Sequence, residues 1–250
     1  MSEDASLPPA LQPDFHIAER VRNRMETFPR KFRELGEGNR LANLLRKTQT
    51  LEGAPLEQAP EVFTKQYLIE PVLDGLGYLN PVSEAYAGDG PHFIREPSTY
   101  DGVEPRRPDY LLKNIDSSAT CIVEAKAANR ERMDGAKRWA TKGIDKYLKE
   151  DTFCKYLRTV DLQYLIGIGT DGLRWTLWVK DLETDQTVEA CPKVDISPAI
   201  DRIARRLDVT DGDLPDNGGT EVERELLYDE FVPAFAAANL LDHSKSVLDT

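Results

Sequence analysis

The feature that most restricts how this chain can fold is a short apolar run, Thr120 to Ala125, that ends in Glu124-Ala125-Lys126. Its length and its Cys121-Ile122-Val123 centre fit extended backbone, so the run is read as a strand. Residues two apart on a strand share a face, so Glu124 and Lys126 project together, Ile122 continues that face and Val123 points the other way. An acid and an amine at the end of an apolar strand cost free energy when they are buried, which argues that they are there for chemistry. A second strand is predicted from Asp109 to Leu112, joined to the first through Asn114-Ile115-Asp116-Ser117-Ser118, residue types that favour a turn. A turn centred near Asp116 and Ser117 makes a hairpin in which Asp109 lies opposite Glu124. A slip of one residue would separate the two carboxylates.

Around this hairpin the pattern alternates. Apolar residues at helical spacing predict helices from Phe15 to about Leu35, from about Asn39 to Leu51 and from Val62 to Leu76, where Gly77 ends the last. Residues 80–107 read as irregular, with one strand near His92 to Arg95. After the hairpin come a helix from about Arg130 to Lys149, an apolar run from Leu162 to Ile168, the turn Thr170-Asp171-Gly172, and a strand from Leu173 to Val179 with Trp175, Leu177 and Val179 on one face. Helix followed by strand implies an α/β core. Ile196, Ile200, Ile203 and Leu207 mark a further helix. Thr220 and Glu223 have the spacing of a capping box before a final helix containing Leu226, Leu227, Phe231 and Phe235, in which Pro233 introduces a kink. The expected organisation is a disordered lead-in at 1–13, a helical N-terminal extension at 14–58, a core at 59–208, a linker at 209–219 and a C-terminal helix at 220–250.

The 250 residues are 40% hydrophobic, enough for one good core with an appendage. The apolar runs are too short and interrupted to span a membrane, and Met1-Ser2-Glu3-Asp4 lacks the basic-then-apolar order of a signal peptide, so a soluble cytoplasmic protein is expected. Cys121, Cys154 and Cys191 are odd in number and far apart, so they are read as bystander thiols rather than zinc ligands or a disulfide framework. A net charge of −12 opposes a nucleic-acid partner. Position qualifies the sum: Arg106, Arg107, Lys113, Lys126, Arg130, Arg132, Lys142 and Lys146 concentrate basic charge around the hairpin. Acid gathered at a metal site and a solvating surface excess, as in proteins adapted to high salt, account for part of the rest.

Two convergent carboxylates make a hard oxygen site suited to magnesium, which keeps several waters and binds phosphate. Asp109 and Glu124 are the expected ligands, the backbone carbonyl of Ala125 is a third available oxygen, and manganese is an acceptable substitute. Lys126 is placed to orient water or to stabilise a pentavalent phosphate. Arg107-Pro108-Asp109, a hydrophobic strand, a turn and Ile122-Val123-Glu124-Ala125-Lys126 resemble the PD-(D/E)XK signature of restriction-endonuclease-like nucleases. More closely, residues 60–180 resemble the N-terminal nuclease domain of type I restriction enzyme cleavage subunits. That family shows a preceding helix with an acid, here Thr64 to Leu76 with Glu70, then Pro108-Asp109-Tyr110-Leu111-Leu112, Glu124-Ala125-Lys126, and a Thr170-Asp171-Gly172 turn followed by Trp175.

The resemblance implies a restriction-endonuclease-like mixed central sheet flanked by helices, with Asp109 and Glu124 as metal ligands, Lys126 as the catalytic lysine and Glu70 as an accessory acid. It implies DNA as substrate and a role in restriction or defence against foreign DNA; because the sequence has no phosphate-binding loop, the chain is expected to be either a solo nuclease domain or a piece of a split system whose other restriction subunits include a separate motor. A homodimer stays open, since cutting both strands needs two sites. Arg106, Arg107, Lys142 and Lys146 are candidate DNA contacts, with solvated surface charge as the bland alternative, and His92 is a lone histidine near the site. The family's glutamine four residues before a tyrosine is replaced here by Gly143 before Tyr147. Two other readings remain open: a catalytically silent DNA-binding or assembly module, and a nuclease acting on RNA or branched DNA.

Overall fold

In the computed structural model, which describes residues 13–53, 56–81, 88–97, 107–130, 141–211 and 219–248, the apolar run is strand β3 (Ala119–Ala125) and the strand before it is β2 (Tyr110–Lys113). They pair antiparallel, with Tyr110 opposite Val123, Leu111 opposite Ile122 and Leu112 opposite Cys121. Extending that register by one pair sets Asp109 opposite Glu124, and its centre falls between Asp116 and Ser117. The Asp116 carboxylate holds the turn by accepting hydrogen bonds from the Ser118 N–H (2.7 Å) and hydroxyl (2.6 Å). Asp109 itself lies just before β2, so that strand runs one residue later than its apolar pattern suggests.

Strand β1 (His92–Arg95) pairs with β2, and β4 (Tyr164–Thr170), β5 (Arg174–Asp181) and β6 (Thr187–Asp195) complete a six-stranded sheet in the order β1-β2-β3-β4-β5-β6. All neighbours are antiparallel except β3 and β4. A parallel pair needs a crossover, and its described part is α6 (Thr141–Lys149) and α7 (Asp151–Thr159). The protein is therefore α/β, with a mixed sheet flanked by helices. The first half of the helix expected from Arg130, like most of the linker at 209–219 and of the lead-in at 1–13, lies outside the described residues.

Alternation along the strands sends side chains to two cores. On one face Leu111, Ile122 and Leu165 pack with Ile144, Tyr147, Leu148, Phe153 and Leu157 of α6 and α7. On the other, Val123, Ile168, Trp175, Leu177 and Val179 join residues of the remaining helices. Those helices are α1 (Pro13–Met25), α2 (Thr27–Glu34), α3 (Gly38–Leu45), α4 (Pro60–Thr64), α5 (Glu70–Gly75), α8 (Ser197–Arg206), α9 (Glu221–Asp229), α10 (Phe231–Phe235) and α11 (Leu240–Leu248). A π-helical turn, Lys65–Ile69, joins α4 to α5, so the helix expected from Val62 to Leu76 is continuous but locally widened. The 14–58 and 220–250 segments share this core with the sheet, and Trp175 packs edge-on against Phe231 and Phe235.

Several elements differ from the sequence pattern. The helix expected from Phe15 to Leu35 is interrupted after Met25, and the C-terminal helix is three pieces rather than one. The Thr220–Glu223 capping box does not form. Thr220 has helical rather than extended backbone, and the fully buried Glu223 carboxylate accepts a 2.6 Å bond from Arg206 Nε. Strand β6 and helix α7 are additions; β6 is an edge strand with few buried positions and Pro192 within it, so it carries no apolar signal. Among the described residues no helix is long and apolar enough to cross a membrane.

Candidate active site

Asp109, Glu124 and Lys126 meet where the β2–β3 hairpin emerges from the sheet, beside the π-helical turn and the start of α6. Their side chains are mostly buried, at 16%, 13% and 20% exposure. The Asp109 Oδ2 atom accepts a 2.7 Å hydrogen bond from the Ala125 N–H, which anchors the carboxylate to the end of β3. Lys126 Nζ lies 3.7 Å from Glu124 Oε2 and donates a 2.7 Å bond to the Ala125 carbonyl. The Lys126 N–H in turn bonds Thr170 O at 2.9 Å, so extended pairing with β4 continues one residue past β3 and keeps Glu124 and Lys126 on one face.

Sequence reasoning missed Lys65. From the π-helical turn its ammonium pairs with Asp109 Oδ1, and it lies 3.0 Å from Glu61 Oε1. Burial works against the charge on Lys65, but the Asp109 and Glu61 carboxylates outweigh it and raise its pKa. The only sequence trace of this role is Glu61 and Lys65 four apart on a helix, the ordinary signature of a surface pair. Glu124 is pushed up to about 7, first by burial and then by the like charge of Asp109, against the pull of Lys126 and Lys65.

Gly143 explains how α6 comes so close. A Cβ there would sit 2.9 Å from both Cγ and Oε2 of Glu124, so the helix passes over the carboxylate where it has no side chain. Behind the site, Thr64 Oγ1 accepts from the Ala128 N–H (2.9 Å) and donates to Pro60 O (2.9 Å). The Asn129 side chain donates to Gln49 O (2.7 Å) and accepts from Arg174 (3.0 Å). The fully buried Arg174 also pairs with Asp171 at 2.9 Å.

Glu70 lines the same cleft as Asp109, about 440 Å³ in volume, yet its carboxylate is engaged elsewhere. It accepts bonds of 2.6 Å and 2.5 Å from Arg95 and one of 3.2 Å from the Tyr110 hydroxyl. Of the candidate DNA contacts, Lys142 and Lys146 are exposed on α6, Arg107 is exposed just before the hairpin, and Arg106 lies outside the described residues. His92 is buried at the opposite end of β1 from Arg95, its Nδ1 3.1 Å from Gly90 O, and so sits away from the acids. Trp175 is core. Cys121 and Cys154 are buried thiols.

Among the described residues no group of three or more His, Cys, Asp or Glu side chains converges on one metal position. The donor set is instead two carboxylates and the Ala125 carbonyl. Magnesium is commonly held by one or two carboxylates and its own waters, so hard oxygens of this kind fit it. Burial first, and then the like charge of Asp109, raise the pKa of Glu124, and a cation held between the two acids would offset the second of these. Fold and site together define an α/β protein with an acid–acid–lysine cluster at the end of a central hairpin. No protein-family model matches the chain, and neither does any curated protein or solved structure.

Proposed function

We propose that the protein is a metal-dependent endonuclease with a restriction-endonuclease-like core, hydrolysing DNA phosphodiester bonds in restriction or defence against foreign DNA. The observation that carries this reading is the in-register placement of Asp109 and Glu124 beside Lys126, in a mostly buried pocket where acids are costly without a cation. Asp109 and Glu124, with the Ala125 carbonyl, would hold magnesium or manganese. When bound, the ion supplies an acidified water and neutralises charge on the phosphate. Asp109 is kept in position by the Ala125 N–H. Glu124 must be ionised to ligate, and its pKa of about 7 places that change near neutrality. Lys126 offers the ammonium protons to the non-bridging phosphate oxygens as charge builds. The restriction setting and DNA rather than RNA or branched substrates follow from the signature's resemblance alone, while a homodimer would answer the need for two sites to cut both strands and a separate motor subunit would supply the phosphate-binding loop this sequence lacks.

A second reading has an observation of its own. Lys65 neutralises Asp109 and Lys126 satisfies the Ala125 carbonyl without a metal, as they would in a silent DNA-binding module. A substrate panel separates the two. Purified protein is incubated with plasmid, single-stranded and branched DNA and with RNA, in magnesium, manganese or EDTA over a range of salt, beside Lys126→Ala. Cutting of one substrate class that needs metal and is lost in the variant supports the nuclease. DNA binding without cleavage in any condition supports the module.

A further inference from the structure

We propose that the Lys65 ammonium is a built-in stand-in for the metal ion: it holds the acids of the site in the metal-free protein and leaves Asp109 when a divalent cation binds, so that Lys65 sets the metal affinity. This rests on the reading of Asp109 and Glu124 as metal ligands.

The geometry is that of a cation between carboxylates. Lys65 Nζ bridges Asp109, from the hairpin, and Glu61, from α4. Asp109 Oδ2 is already tied to the Ala125 N–H, and Oδ1 is the oxygen Lys65 holds. An ammonium and a divalent ion on one carboxylate oxygen would stand a few ångströms apart and repel strongly in a site so screened from water. Charge gives the same answer. Glu61, Asp109 and Glu124 face Lys65 and Lys126, a formal −1 with all three acids ionised; a dication would bring the cluster to +1 with Lys65 in place and to zero once Lys65 has left.

The structure also provides somewhere for the ammonium to go. Lys65 lines the cleft of about 440 Å³ that Gln66, Glu70, Arg95, Glu96 and Asp109 also border, so a rotation of its long stem carries the charge into water past the Arg95–Glu70 pair. Its backbone belongs to the π-helical turn, where the Glu70 N–H bonds to Lys65 O. Such turns insert one residue into a helix and change which side chains face inward, and they are often found where a helix serves a site.

Two measurements on the full chain test this. In manganese titrations followed by calorimetry, Lys65→Met is expected to bind at least about tenfold tighter than wild type, the gain from removing one close repulsion. In wild type, modification of Lys65 by an amine-reactive reagent, read by mass spectrometry, is expected to rise several-fold when manganese replaces EDTA, with exposed Lys113 unchanged as reference. Equal or weaker manganese binding by a folded Lys65→Met, or Lys65 labelling unchanged by saturating manganese, overturns the proposal while leaving the metal site standing. If Lys65→Met does not fold, the wild-type labelling decides. Absence of manganese binding in both folded proteins overturns the ligand assignment, and the proposal with it.

Discussion

Glu124 gives the metal-free protein a pH dependence that reaches neutrality. Burial and Asp109 raise its folded pKa to about 7 from 4.5, so the folded state holds the proton more tightly than the unfolded chain does. That contribution is fully present below pH 4.5, declines between there and about 7, and is lost above. In EDTA, chemical denaturation should show wild type losing up to ~3 kcal/mol over this window relative to Glu124→Gln, which keeps the neutral form throughout. Equal pH profiles for the two proteins would remove the strained carboxylate from the account. At the other end of the pair, Lys126 would, on the proposed nuclease reading, offer one ammonium to the reacting phosphate. Lys126→Ala should cut the cleavage rate by about 10²- to 10³-fold with little change in melting temperature, since removing one preorganised donor has that scale of effect.

At the scale of elements, the hairpin was the most legible part of the chain. Its turn residues, its apolar alternation and the position of Asp109 relative to Glu124 are all local properties, and the register agrees with them. Lys65 was not legible, because its partner Asp109 is 44 residues away and only the packing of the π-helical turn against the hairpin brings them together. Glu223 misled for a related reason: a capping-box spacing was overridden by a buried bond to Arg206. Glu70 was expected as an accessory acid from its helix, and the Arg95 side chain that engages it comes from β1, beyond the reach of any local pattern. Two changes test how elements hold the site. Gly143→Ala on α6 should leave stability within about 1 kcal/mol, because helix propensity gained offsets contact with a side chain that can shift. Metal-dependent cleavage should nevertheless fall at least about tenfold as Glu124 is displaced, a 1.4 kcal/mol effect. Arg174→Met in β5 leaves Asp171 buried without its ion partner and should cost about 3–5 kcal/mol in urea denaturation.

Over the whole molecule, one core ties the N-terminal helices, the sheet and the C-terminal helices together. Sequence periodicity located those helices but did not show that they close over the sheet, because an apolar stripe says that a face is buried and not what buries it. Phe231→Ala should therefore destabilise the protein by about 3–5 kcal/mol, as loss of a large core side chain does, and lower the melting of the sheet as well as of α10. Far-UV and tryptophan signals should still change together, and an early separate transition would show the C-terminal helices to be an independent unit. With a net charge of −12 overall, the proposed attraction to DNA would have to come from the local basic residues, so any such binding should weaken steeply with salt. The central claim is that Asp109 and Glu124 hold a catalytic metal. Its most direct test is the nicking or linearisation of supercoiled plasmid by wild type and by Asp109→Asn, both shown to be folded, in magnesium and in EDTA. The expected result is cutting by wild type that EDTA abolishes and that Asp109→Asn lacks. Cutting that survives in Asp109→Asn, or that ignores EDTA, would contradict it.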